Sequence, residues 1–194
     1  VYAALCRQLD KPLCIVTPGE AEATRFAADL NTLGIPAAVF PARDYVLRPI
    51  EGTAREYEYR RLAVLGELVG GRLRAVAVPA EALTQFTTPK EDFCANTRTL
   101  HAGDTLLRDD LLAALFGAGY TRRAQVDGPG QFSVRGDIVD IFAPDQKMPV
   151  RMEFWGDEID TLHTFDLTTQ RREDAIDKFY LSPAREVLFG KPAD

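Results

Sequence analysis

The stretch "GPGQFSVRGDIVDIF", from Gly128 to Phe142, is the most regularly patterned run of the chain and decides how the sequence around it folds. Three interpretations are open: a phosphate-binding loop, an adhesion tripeptide (Arg135-Gly136-Asp137), or a strand that presents arginine to a partner. A phosphate loop uses the free amides at a helix N-terminus, whereas Gly-Pro-Gly is followed here by strand-like alternation. The tripeptide is common by chance and has no integrin to meet in a reduced cytoplasmic protein. The pattern therefore favours a β-sheet.

Alternation assigns the side chains of this sheet to two faces, because successive residues of a strand point in opposite directions. The apolar side would hold Phe132, Val134, Val150, Met152 and Phe154, and the polar side would hold Ser133, Arg135, Arg151, Glu153 and Trp155, with Arg122 and Arg123 as its extension upstream. A tryptophan beside arginines is the composition of a protein-binding hot spot. The alternative is a solvated face with ion pairs that contribute less than about 1 kcal/mol each, with the tryptophan in the core.

Composition describes a globular chain without a membrane segment. The 194 residues carry a formal net charge of −6, which argues against a dedicated nucleic-acid-binding domain. No apolar run is long enough to cross a bilayer, and no secretory signal is recognised. Three scattered cysteines and two histidines predict reduced thiols, a cytoplasmic location and no metal site. The start at Val1 rather than Met predicts a segment of a longer protein.

The first part of the chain predicts a parallel sheet covered by helices. Short apolar runs at 12–17, 36–41 and 74–79 are typical of buried strands, and amphipathic helical runs separate them. Neither G-x-x-x-x-G-K-[ST] nor G-x-G-x-x-G is present in this sequence. We therefore expect a non-catalytic α/β scaffold that holds no cofactor.

From Pro89 onward the pattern changes to one helix, at about 107–120, followed by successive strands with a period of two. This predicts an α+β domain of one helix on an antiparallel sheet. The segment "DKFYLSPARE" is predicted to return to the first unit. The expected domains are therefore a scaffold of residues 1–88 and 178–194, with an inserted domain at 89–177.

The run from "GYTRRAQVDGPGQF" to "FDLTTQR" resembles the module shared by excinuclease B and the bacterial transcription-repair coupling factors. The core "F-x-V-R-G-D-I-V-D-I-F", the pair "R-x-E-F-x-G-D-E-I-D" and the closing "F-D-x-x-T-Q-R" carry the resemblance in order. Residues 40–61 leave too little room for the DNA-threading hairpin of excinuclease B, and "AQVDGPGQFSVRGD" is similar to the N-terminal portion of the coupling factors.

The resemblance implies a degenerate P-loop NTPase-like scaffold that has lost ATP binding, and a retained surface that recruits excinuclease A to stalled RNA polymerase. This chain would then have no enzymatic activity, although the full-length family member is an ATP-dependent DNA translocase that also binds RNA polymerase. The alternative is part of an ATPase like excinuclease B that contacts damaged DNA directly.

Carried over by motif, the surface for excinuclease A would comprise Arg122, Arg135, Arg151, Glu153 and, as a weaker candidate that also suits a core position, Phe142. The chain departs from excinuclease B at Ser133, where that protein often has a further arginine. The interface is therefore expected to be less basic or differently arranged. No catalytic residue is predicted.

Overall fold

The computed structural model describes residues 1–43 and 54–186. These residues form two compact units, Val1–Thr87 and Thr88–Asp194. The prediction that the DNA hairpin is missing falls largely on residues 44–53, outside the described residues. No helix among the described residues combines the length and the hydropathy that a membrane span requires.

The first unit contains a parallel sheet, as predicted. Its elements are α1 (Tyr2–Gln8), β1 (Leu13–Thr17), α2 (Glu20–Thr32), β2 (Ala37–Val39), α3 (Ala54–Val69), β3 (Ala75–Pro79) and α4 (Ala80–Leu83). The strand order is β1-β3-β2, and both pairings are parallel. Parallel strands need a crossover between them, which explains why helical segments separate the apolar runs.

The two faces of this sheet bury different side chains. Small residues of α2, Ala23 and Ala27, pack on Ala77, and Phe40, Val76 and Val78 belong to a second cluster on which Leu65 and Leu68 of α3 pack. The buried Arg61 donates to the carbonyl of Pro41 at 2.8 Å. The relation of this unit to a P-loop NTPase stays a prediction.

The second unit is built on an extended antiparallel sheet. Its elements are α5 (Lys90–Ala95), β4 (Arg98–His101), α6 (Arg108–Gly117), β5 (Thr121–Arg122), β6 (Gln131–Arg135), β7 (Ile138–Phe142), β8 (Val150–Trp155), β9 (Glu158–Phe165), β10 (Arg172–Ala175) and β11 (Lys178–Leu181). Six strands follow the order β10-β9-β8-β7-β6-β5. All neighbours are antiparallel except β5 and β6, which are parallel.

One face of the six-stranded sheet carries the main core of this unit. Leu111 and Leu115 of α6 are buried in one cluster with Phe132, Val139 and Met152. The opposite face, called the outer face below, carries the side chains of Ser133, Asp140, Arg151 and their row neighbours. Thus the two faces predicted from alternation are observed.

The last strand differs from the prediction. The segment from Lys178 was expected to return to the first unit, but β11 pairs antiparallel with β4, Phe179 opposite Leu100. Phe179 and Leu181 belong to the main core of the second unit. Because these two residues are buried in that core, β11 stays with the second unit. The chain divides into its two units between Thr87 and Thr88.

The tripeptide Arg135-Gly136-Asp137 is a hairpin turn. Arg135 pairs with Ile138, which leaves Gly136 and Asp137 as a two-residue connection between β6 and β7. Gly136 has φ +59°, a conformation that glycine adopts without the steric cost of a Cβ atom. The tripeptide thus has a local structural explanation.

Candidate partner-binding site

The strand register aligns the polar residues of the outer face in two neighbouring rows. One row runs across β6 to β9 through Ser133, Asp140, Arg151 and His163. The next row contains Arg135, Ile138, Glu153 and Thr161. Arg135, Arg151 and Glu153 therefore share one face, as the alternation predicted.

A buried ion pair occupies the centre of this face. Asp140 and Arg151 are directly opposite each other, and the Asp140 side chain is 1% exposed while that of Arg151 is 11% exposed. Arg151 donates from Nε to Oδ1 at 2.7 Å and from Nη2 to Oδ2 at 2.9 Å, which is a bidentate contact. These hydrogen bonds raise the pKa of Arg151 above its ordinary value, against the opposing effect of burial. Arg151 is therefore a permanent cation at the centre of the face.

Arg135 binds the same carboxylate from the solvent side. Its Nη2 donates to Oδ2 of Asp140 at 2.6 Å, while 47% of its side chain stays exposed. Because Arg151 already neutralises Asp140, the three side chains together carry one surplus positive charge. Arg135 is thus a guanidinium that is oriented by Asp140 on a side chain that stays about half exposed.

Glu153 belongs to a second pair in the neighbouring row. It forms an ion pair with Arg172 of β10 and accepts from the Thr161 hydroxyl at 3.4 Å. Its side chain is 20% exposed, whereas that of Arg172 is 47% exposed. Glu153 lies on the predicted face, and it uses part of its acceptor capacity inside the sheet.

Two residues of the closing motif "FDLTTQR" contact the guanidinium of Arg151: Phe165 through its ring and Gln170 through its carbonyl. The Arg151 guanidinium carbon lies 4.7 Å from the centroid of the Phe165 ring, a cation–π geometry. Nη1 of Arg151 donates to the carbonyl of Gln170 at 3.2 Å. Gln170 has φ +59°, and Asp166 stabilises the turn before it by accepting from the amide and hydroxyl of Thr169 at 2.7 and 2.9 Å.

Two predicted residues lie outside the polar centre. Phe142 is buried with Val126 and Phe165 in a small apolar cluster, so it is a core residue rather than an exposed contact. Arg122 pairs with Phe132 in parallel register, which puts it on the face opposite to Arg135. It is exposed at the edge strand β5. The expected extension of the polar face through Arg122 is therefore not observed.

Arg151 also differs from the prediction. It was expected to point outward for a partner, but its guanidinium is held by Asp140, Gln170 and Phe165. Asp140 was missed altogether, although alternation along its own strand separates it from its apolar neighbours Val139 and Ile141. The missing information was the register, since Asp140 and Arg151 are eleven positions apart in the sequence and meet only across β7 and β8.

Comparison with known proteins defines the class of this unit. Residues 99–187 match the family model described as the UvrB interaction domain. This range covers the six-stranded sheet, helix α6 and the Arg135–Asp140–Arg151 group. The second unit is therefore a UvrB interaction domain.

The whole chain has relatives with one common name. It is 35% identical over 199 residues to the transcription-repair-coupling factor of Myxococcus xanthus, covering 97% of this chain and 16% of the relative. Identity to the Mycobacterium bovis factor is 37% over 185 residues, covering 91% and 15%, and identity to the Bacillus subtilis factor is 28% over 188 residues, covering 96% and 16%. The chain belongs to the transcription-repair-coupling factor family and spans about one sixth of these relatives' length.

Proposed function

We propose that this chain is a non-catalytic interaction module of a transcription-coupled DNA repair factor, and that its second unit recruits excinuclease A. The match to the UvrB interaction domain and the name of the relatives support this assignment. The longer protein would bring RNA polymerase and DNA to the same complex. The module itself would act without a cofactor.

The observation that carries the proposal is the surplus guanidinium of Arg135. Its anchor, Asp140, is already paired with Arg151. A carboxylate of a partner can therefore approach Arg135 without displacing Asp140 from the buried Arg151, which it neutralises. Arginine suits this task because its planar fork presents several donors in fixed directions.

Arg151 and Glu153 then act mainly by holding this geometry. Arg151 fixes the position of Asp140, and Glu153, in the adjoining row, forms its ion pair with Arg172. A loss of affinity after mutation of Arg151 would consequently be accompanied by a loss of stability. Mutation of Arg135 should perturb stability less, because its side chain is half exposed and Asp140 keeps its bidentate contact with Arg151.

The proposal is tested by calorimetric titration of this chain with purified excinuclease A. We expect Arg135→Gln to weaken binding at least about tenfold, since truncation of one partner of a desolvated charge pair costs about 2–5 kcal/mol. Glutamine is preferred to glutamate because a new carboxylate would be placed beside Asp140. Arg98→Gln is the matched control, since Arg98 is exposed on β4 in the separate two-stranded sheet.

Equal affinities of wild type and Arg135→Gln would contradict the role of Arg135. Absence of binding by the wild-type chain, together with binding of ATP or damaged DNA, would favour the alternative of an ATPase like excinuclease B. Both ligands are therefore titrated in parallel with excinuclease A.

A further inference from the structure

Trp155 is the most exposed large aromatic side chain of the second unit's described residues. It is the single tryptophan of the chain and is 82% exposed at the end of β8. A single exposed leucine would not indicate a binding site, because isolated apolar residues are normal on protein surfaces. A tryptophan is different, because it offers about 150–250 Å² of contact area and is enriched among binding hot spots.

The sheet is built so that Trp155 points to the outer face. The register between β8 and β9 shifts between Glu153 and Phe154, where β9 contributes one additional residue, Asp160. This bulge lets Ile159 pair with Phe154 in the core and leaves Trp155 opposite Glu158. A local bulge commonly re-aims side chains next to functional sites.

The position of Trp155 makes it continuous with Arg135. Glu153 lies in the same row as Arg135, and Trp155 is two residues further along β8 on the same face, which is about 7 Å. The surface at Trp155 has a different charge, because Asp157 and Glu158 are exposed at the adjoining turn. The face thus has a cationic position at Arg135 and an aromatic position with an acidic border at its end.

We propose that Trp155 is the apolar anchor by which this unit binds its protein partner, excinuclease A; this inference rests on the function proposed above. The complementary surface of the partner is an apolar recess that receives the indole, with carboxylates opposite Arg135 and neutral or basic groups opposite Asp157 and Glu158. The indole contributes little to the fold of the free chain, since most of its surface contacts water.

The experiment combines an affinity measurement with a spectroscopic signal that belongs to this residue alone. The chain is labelled with 5-fluorotryptophan, so that its single tryptophan gives one fluorine resonance, and unlabelled excinuclease A is added. We expect the resonance to shift on binding and Trp155→Ala to weaken binding at least about tenfold. Trp155→Phe should recover part of the affinity.

Tyr180→Ala is the matched control, because Tyr180 is a partly exposed aromatic residue on β11, outside the six-stranded sheet. It should bind as wild type does, and the melting temperature of Trp155→Ala should equal that of wild type. If wild type binds but the resonance does not move, or if Trp155→Ala binds normally, the anchor role is overturned while the proposed function stands. If wild type does not bind excinuclease A, both the inference and the proposed function fall.

Discussion

Removal of the Asp140 carboxylate tests the central contact of the outer face. In Asp140→Ala, Arg151 loses both of its hydrogen bonds to the carboxylate. The guanidinium, whose side chain is 11% exposed, then retains only the Gln170 carbonyl and the Phe165 ring as its described contacts. An uncompensated buried charge costs about 3–5 kcal/mol of stability, and we expect Asp140→Ala to lower the free energy of unfolding by an amount near the upper end of this range.

The partner variant, Arg151→Met, should cost less. Asp140 keeps its contact with Arg135 at 2.6 Å, so its charge is still partly compensated. We therefore expect the free energy of unfolding to fall by about 3 kcal/mol. The double variant removes both charges and replaces them by apolar groups. Such replacements of buried pairs are often close to neutral, so the double variant should lose no more free energy of unfolding than either single variant does.

The three variants form a double-mutant cycle, measured by urea unfolding followed by far-ultraviolet circular dichroism. Fluorescence is a poor probe here, because Trp155 is 82% exposed in the folded chain and changes environment little on unfolding. The chain contains two units, so its curves are fitted with two transitions, and only one should shift. Additivity of the two single changes within about 0.5 kcal/mol would refute the coupling of Asp140 and Arg151.

Two further predictions concern turns that support this unit. The hydrogen bonds from Thr169 and Thr168 lower the pKa of Asp166 below its ordinary value, so its contribution to stability is present above the unfolded-state pKa of about 4 and is lost as pH falls through the folded-state value. Acid-unfolding curves below about pH 4 should therefore be steeper for wild type than for Asp166→Asn, and identical slopes would contradict this. Gly119 has φ +85°, and a Cβ there would meet Cγ of Arg185 at 2.3 Å, so Gly119→Ala should lose about 1–3 kcal/mol. In Gly117→Ala the added Cβ meets no described atom within 4 Å apart from its chain neighbours and its own helix backbone, so this variant should be neutral or slightly stabilising by thermal unfolding, and an equal loss in both variants would exclude the steric explanation.

The parts of the fold that could be predicted have strong local signals. Strands β6 to β9 alternate clearly and are separated by turn residues, and the parallel strands of the first unit are apolar runs separated by helices. The short elements α1, α5 and β10 were missed, because a few residues carry little periodicity. In α6 the buried stripe is limited to Leu111 and Leu115, with Leu112 partly buried, and Phe116 is exposed.

For the candidate site, the face of the sheet could be predicted from the sequence, but the pairing of the charges on that face could not. Alternation correctly placed Arg135, Arg151 and Glu153 together, because side-chain direction in a strand depends on local geometry alone. Whether each charge is free or paired depends on cross-strand register, which is set by the packing of whole strands. The same dependence explains Arg122, whose face follows from the parallel pairing of β5 with β6 and not from its own sequence context.

The charge distribution limits how this face can recognise an acidic partner. The chain has a net charge of −6, so its overall field does not steer an acidic surface towards it, and salt screens that field beyond the Debye length of about 8–10 Å. Attraction begins only when the partner is close enough to meet the guanidinium of Arg135 directly. At that range the ion pair with Asp140 is an advantage, because it already restricts the rotamers of Arg135 and so reduces the side-chain entropy lost on binding. Recognition by this unit should therefore depend on short-range fit at Arg135 and its neighbours, and an apolar anchor such as Trp155 would supply contact area that a single guanidinium does not.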